Sequence, residues 1–476
     1  MKIMKQLSFI LVICFFFMGC DFTEENSETH QVSFFLDGSP FTGSVLEVKT
    51  GYMIPTTNKT IRIHAGGKGL YRGSAEDVDK FWTISAGPDA GEIWEFKNPV
   101  TENITLTAAS GTPPVRLNFS GKGKEFFDNA MNYINDRDNA GSYILALGEN
   151  AGEEEDIGAG IKNKEINKVT FSPGVDLTLI GIGGEKIIHT RGSRVFVLPG
   201  DAAAPISLTL GKNITIMGSE SSSNGGLIRV GDGLGGRMNI TFTMLDGSKI
   251  TGYYTDRPGG SGNPEFSVGS GVVVVYGSIN MNMDSIKILF HMKGGEITGN
   301  HNYWNGGQAS GGVTLNRARM IMEGDAKITG NTGFGGDIAY GVNSHWPMVD
   351  NLFVEIKDNA TIGEIFLFSS VAGYNVIGPY YMPHVKIHNG WTGNIGKLNL
   401  GYGNLDGATA PSLPGFWVNN IFIRNAAETG SDVGTITAFL PGITLGGSFH
   451  WNSGRVWPDE YANYKINPAT GTLIVN

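Results

Sequence analysis

A short pattern, a strand-like run ending in Ile and closed by Gly, recurs through most of the chain: LTLIGIG (177–183), NITIMGS (213–219), GSKITGY (247–253), GGEITGN (294–300), GDAKITGN (324–331), NATIGE (359–364) and GNIGK (393–397). Anchored on Ile180, Ile216, Ile250, Ile297, Ile328, Ile362 and Ile395, the intervals are 36, 34, 47, 31, 34 and 33 residues. A period of this length marks a repeat architecture in which no unit can bury its apolar side alone. Helical repeats of similar period carry amphipathic helices, whereas these carry β-branched alternation with Gly corners. Stacking such units about 4.8 Å apart pairs every strand with its neighbours and lines the interior with Ile, Val, Leu and Phe. The expectation is therefore an all-β chain whose larger part, residues 115–476, is a parallel β-helix.

Composition agrees with that reading. Gly supplies 70 of 476 residues, roughly twice ordinary usage, which disfavours helix interiors and suits corners with positive φ or close backbone approach. Charged residues are only 17%, as expected where stacked like charges repel. Lys249, Glu296 and Lys327, each preceding an anchor Ile, alternate in sign and are placed to form a ladder across units. Asn300 and Asn331 follow Ile-Thr-Gly and are expected to form a second ladder at a turn. Lys124 to Asp138 sets Phe127, Ala130, Met131 and Ile134 on one helical face, a helix expected to cap the N-terminal end of the stack. Tyr464–Asn467 and Thr472–Val475 read as a closing hairpin.

This region resembles the right-handed parallel β-helix repeats of the pectate-lyase-like superfamily, most clearly at Gly294 to Asn300, Gly311-Gly312-Val313 and Lys327 to Asn331. The resemblance implies a right-handed stack with an N-terminal capping helix, in a superfamily that includes both surface proteins and polysaccharide lyases and hydrolases.

The N-terminus carries a different signal. Two lysines in Met1–Lys5, an apolar run to Met18 and the closing Gly19-Cys20 read as a secretory leader over residues 1–20, too short to span a bilayer. Phe17 to Asp21 resembles a bacterial lipobox, which implies lipidation of Cys20. Cys14 leaves with the leader, so no internal disulfide is expected. Residues 21–30 read as a solvated acidic tether. The expected location is outside the cell, lipid-anchored at an outer membrane or cell surface, with the lipid as the membrane contact.

Residues 31–109 show short alternating runs, VSFFL (32–36), TIRIH (60–64) and ITLTA (104–108), read as strands. The series Val32-Ser33-Phe34, Gly51 to Pro55, Phe81-Trp82 and Trp94 to Leu106 resembles the internalin B-type repeat, a small β-grasp module of bacterial surface proteins. That resemblance implies a spacer or interaction unit. Trp82, Trp94 and Phe96 are expected in its core.

The formal charge is −10. Without a basic cluster there is no source of counterion release, so nucleic acid is not an expected partner. Gly231 to Gly236 matches G-x-G-x-x-G, but Met238–Met244 reads as a strand where a dinucleotide site needs a helix. No zinc, Walker A or serine-hydrolase motif occurs, and the nine His residues show no metal spacing, so neither catalytic residues nor metal ligands nor a cofactor are assigned. Glu149 to Asp156 reads as a solvated acidic loop. Ligand-contacting candidates lie in insertions after the repeat corners: Tyr253, Tyr254, Asp256 and Arg257 in the longest interval, then Tyr303, Trp304 and Trp346. Aromatic side chains there suit sugar stacking or a protein partner. Two functions follow: a non-catalytic surface protein binding glycan or protein, or a carbohydrate-active β-helix enzyme. The first is preferred; three or more carboxylates, or carboxylates with a Lys or Arg, converging within about 8 Å on one lateral face would overturn that preference in favour of the enzyme.

Overall fold

A computed structural model describes residues 28–151, 154–157, 160–163, 168–190, 195–199, 204–218, 226–231, 238–255, 270–275, 286–302, 310–316, 318–333, 336–342, 353–369, 384–388, 391–400, 421–423, 444–446, 464–467 and 472–475. The protein is mostly β, with 46% strand and 10% helix. Its contacts divide into two units, and Gly67–Val78 belongs to the second together with the chain from Pro113 onward.

The first strands in chain order are β1 (Thr29–Leu36), β2 (Ser39–Lys49), β3 (Gly69–Arg72), β4 (Thr83–Ile84) and β5 (Ile104–Ala108). In the first unit β2, β1, β5 and β4 form one mixed sheet, antiparallel between β1 and β2 and parallel between β1 and β5. VSFFL and ITLTA are strands as expected, but TIRIH is not. Lys59–Ile63 is a short helix because the Asn58 side chain accepts the Thr60 and Ile61 N–H groups at 2.9 and 3.3 Å, the N-cap arrangement. The Ile61/Ile63 alternation misled: Ile61 is buried, whereas Ile63 is 46% exposed. Trp82 fills the core, its Nε1 donating to Ile61 O at 2.9 Å and its ring 5.0 Å from Phe34. Trp94 is also buried and Phe96 packs against the same cluster.

The second unit is built on two long, largely parallel sheets, of eleven and fourteen strands, and a three-stranded sheet. Ile286–Met292, Glu296–Ile297, His301–Asn302 and Val313–Asn316 make up one pass of the chain. They pair in parallel with Arg319–Met322, Lys327–Ile328, Thr332–Gly333 and Ile338–Val342 of the next. One long strand, Thr361–Ser369, then joins the Lys327–Ile328 and Ile338–Val342 ladders, which is why they count as a single sheet. Inside, Phe242 and Phe290 stack at 4.9 Å.

The anchor isoleucines form one buried, in-register ladder through Ile216, Ile250, Ile297, Ile328, Ile362 and Ile395. Its first member is Ile188, 28 residues before Ile216, and not Ile180. Ile180 pairs with Ala146 in the eleven-stranded sheet. The pattern after Ile180 is the same, but Gly181 serves another purpose there: a Cβ on it would lie 2.3 Å from Asn213 O.

The helix Gly123–Ile134 buries Phe126, Phe127, Ala130, Met131 and Ile134 in the same core, with Phe127 6.2 Å from Phe196 of an early pass. It stops at Asn135, and Arg137–Asn139 is a separate short turn. Its N-cap residue, Lys122, makes no capping bond; Glu149 supplies the bond instead, accepting Gly123 N–H at 2.9 Å. At the same end β3 pairs antiparallel with Ser142–Leu147. Residues 67–78, assigned from sequence to the small module, therefore belong with the larger unit. Tyr464–Asn467 and Thr472–Val475 pair as the expected hairpin.

The Asn ladder forms as expected and ends on a residue the pattern did not reveal. Asn300 Oδ1 accepts Tyr253 N–H at 3.0 Å, and Asn331 Oδ1 accepts Asn300 N–H and Nδ2 at 3.1 and 2.8 Å. Asp337 Oδ1 then accepts Asn331 N–H and Nδ2, both at 2.8 Å, while its Oδ2 accepts Glu364 N–H at 2.8 Å. In the next pass the motif reads Ile362-Gly363-Glu364, so Asp337 stands in for the missing Asn. Gly363 is required there, because a Cβ would sit 2.2 Å from Asp337 Oδ2. Burial pushes the Asp337 carboxyl above its ordinary range, against the pull of those N–H donors.

Candidate functional site on the eleven-stranded sheet

Alternation along a strand sends every second side chain to the outer face of a sheet. In the eleven-stranded sheet Ile288, Phe290 and Met292 point into the core, so His291 points out. Register then stacks Thr243, His291, Ile321 and Glu355 in one outward row. A second row lies just beyond the strand ends, where Glu323, Lys357 and His388 each donate their backbone N–H to the preceding pass, at 2.8, 2.9 and 2.9 Å.

Six charged or titratable side chains meet across these rows. His291 Nε2 donates to Glu323 Oε1 at 2.8 Å, and Lys357 Nζ lies 3.7 Å from Glu323 Oε2. Arg319 gives both Nε and Nη2 to Glu355 Oε1, at 3.2 and 2.7 Å, and His388 Nε2 donates to Glu355 Oε2 at 2.9 Å. Each set spans three consecutive passes, about 4.8 Å from one to the next, and the two sets overlap in the passes of Glu323 and Glu355. Glu355 is buried, with both oxygens engaged, while the Arg319 side chain is 41% exposed. Burial lowers the His291 pKa below its ordinary value; Glu323 opposes this, and Lys293 and Lys357 add to it.

These six residues, spread from 291 to 388, were not among the sequence candidates. They share no local motif, and the signal that could have found them is positional: Glu323, Lys357 and His388 each precede an anchor Ile by five to seven residues. The sequence candidates themselves divide. Tyr253 turns inward, 1% exposed in the core, which corrects the expectation that it contacts ligand: its position is the rung that the Asn300 side chain holds. Tyr254 lies half-buried on the three-stranded sheet, its ring stacked on His301 at 5.3 Å and 26°, and the His301 imidazole also contacts the Thr332 hydroxyl. Burial lowers the His301 pKa. Asp256, Arg257, Tyr303, Trp304, Trp346 and Cys20 lie outside the described residues, as does most of the Gly231–Gly236 segment. Met238–Met244, after it, is a strand as expected.

Among the described residues no group of three or more His, Cys, Asp or Glu is placed to hold a metal ion, and no helix is long and apolar enough to cross a membrane. No family model matches the chain, and no curated protein or solved structure matches it.

Proposed function

We propose that this is a non-catalytic, lipid-anchored surface protein. In this reading the parallel sheets are the faces of a right-handed parallel β-helix that binds a glycan or protein partner, and the first unit is a β-grasp module of the internalin B type. The observation that carries the binding reading is the row from His291 to His388. It is a rigid polar face whose carboxylates are already neutralised by neighbouring passes, and such a face offers fixed donors and cations with little ordering cost. Leader, lipobox and tether support the anchor. The test is binding of the full chain to glycan and surface-protein arrays, with Arg319→Ala and Lys357→Ala as the face variants. Specific binding that both variants weaken supports the proposal; binding that neither changes removes this face from it. A Cys20→Ser chain that remains in the membrane fraction refutes the anchor.

A carbohydrate-active enzyme is the second reading, favoured by one observation. Glu323 and Glu355, with Arg319 and Lys357, are carboxylates and cations gathered on one lateral face, as acid/base work requires. Against it, Glu355 is 5% exposed and has no oxygen left to present to a substrate. Turnover of acidic polysaccharides, with or without Ca²⁺, that is abolished in Glu323→Gln or Glu355→Gln would establish the enzyme instead.

A further inference from the structure

The first unit ends on an unusually long open edge. β2 has eleven residues and lies at the margin of its sheet, paired on one side with β1 and on the other with no strand among the described residues; the opposite margin, β4, has only two. Thr50 N–H donates to Glu28 O at 2.8 Å. In an antiparallel pair the bonded residues alternate, so the register that joins Val48 to His30 and Leu46 to Val32 turns the backbone groups of Val45, Glu47 and Lys49 away from β1. Val45 on this strand is exposed (54%), as are Tyr52 (64%) and Met53 (59%) after the turn that ends it. Glu47 and Lys49 are exposed and take part in no ion pair among the described residues. Proline and lysine commonly blunt such edges. Here Pro40 and the register shift opposite Ser33 and Phe35 interrupt the first half of β2, and Val45–Lys49 is left as the regular open edge.

We propose that β2 is a self-association edge: two copies of this chain pair their β2 strands antiparallel about a two-fold axis at Val48. The charges select that register. With Val48 on the axis, Glu47 of each copy faces Lys49 of the other, which forms two opposite-charge pairs. A one-residue slip that centres the pairing on Glu47 sets that carboxylate against itself, and centring on Leu46 sets it against Val45. In the chosen register the Glu47 and Lys49 backbone groups exchange hydrogen bonds across the axis. The Lys49 carbonyl, which accepts Tyr52 N–H at 2.9 Å, has a second lone pair for its part. β2 ends at Lys49 and residues 50–51 form a turn, with Gly51 at φ +82°, so the pairing spans Glu47–Lys49 of each copy. The contact is isologous and closes at two copies. It is independent of the binding face on the second unit.

The test is the mass of the full chain in non-ionic detergent, by sedimentation velocity up to about 100 µM, with the single variants Glu47→Lys and Lys49→Glu and the double variant that carries both. The expected result is a dimer that either single variant weakens roughly tenfold or more, because like charges then face each other twice, and that the double variant restores. A wild-type chain that stays monomeric across the range overturns the proposal. Single variants that dimerise like wild type also overturn it, and so does a double variant that remains as weak as the singles. Both sites are exposed, and an unchanged far-ultraviolet circular dichroism spectrum separates loss of pairing from loss of fold.

Discussion

Replacing Asn331 with Ala tests the view that buried side-chain ladders, and not only the apolar core, hold consecutive passes in register. The Asn331 side chain accepts two bonds from Asn300 and donates to Ile297 O at 2.8 Å, Thr329 O at 3.3 Å and Asp337 Oδ1 at 2.8 Å. Truncation does not orphan all of these groups. Ile297 O still accepts Thr329 N–H, Asn300 Nδ2 still reaches Ile250 O and Thr298 O, and Asp337 keeps the Asn331 backbone N–H. The group left with no acceptor among the described residues is the buried Asn300 N–H. An unsatisfied buried donor costs ~1–3 kcal/mol, and the lost charge-assisted bond to Asp337 adds a similar amount, so the expected penalty is about 3 kcal/mol. At 1.4 kcal/mol per tenfold, that lowers hydrogen-exchange protection of the Asn300 amide by about two orders of magnitude. In a stack coupled through nearest neighbours the loss stays local, and amides of Ile206–Leu210, two passes earlier, keep most of their protection. The reasoning is refuted if the Asn300 amide stays within about threefold of wild type, or if protection at 206–210 falls as far as at 300.

Other outcomes follow from the same geometry. Gly311→Ala places a Cβ 2.4 Å from both Asn300 O and Thr332 O; these are backbone atoms of two flanking segments, so a loss of ~1–3 kcal/mol is expected in denaturant titration, against a small effect for Ala at an exposed strand position such as Lys287. The Glu149 carboxyl is raised by its partial burial, but the bond from Gly123 N–H and the Lys68 ammonium at 3.3 Å outweigh this and lower its pKa overall. A lowered carboxyl contributes stability above its unfolded value, which is lost as pH falls through the folded one; below the ordinary glutamate value of 4.5 the start of helix Gly123–Ile134 should lose amide protection, and Glu149→Gln should show that loss already at pH ~7. His291 is the reverse type, a base with a lowered pKa, so stability falls as pH drops below 6.5. His291→Gln, which keeps a donor for Glu323, should flatten the stability profile between pH ~7 and ~5; an unchanged slope removes His291 as the source.

The apolar face of the Phe127 helix, the Asn300–Asn331 ladder and the alternation of Lys249, Glu296 and Lys327 were legible because each is a local pattern repeated at the period of the fold. In the structure Lys249 faces Glu296 at 3.7 Å, and Glu296 faces Lys327 in register. Local patterns misled where two positions look alike but pack differently. Ile180 and Ile188 both close strands, and only pairing with Ile216 identifies the ladder's first member. TIRIH alternates like a strand, but Asn58 turns it into a helix. Tyr253 has the sequence context of a loop aromatic, but the Asn300 side chain holds its backbone and its ring is buried.

The sequence by itself determined the class of the molecule: a Gly-rich, β-branched repeat has no way to bury its apolar side except by stacking, and that follows from composition and period alone. Tertiary structure decided which residues meet. His291, Glu323, Glu355 and His388 follow one another at intervals of 32, 32 and 33 residues, and only the summed lengths of the intervening turns bring them onto one face. Those lengths vary from pass to pass, so each carboxylate's imidazole and cation are chosen by register, which the backbone hydrogen bonds of the whole stack set together.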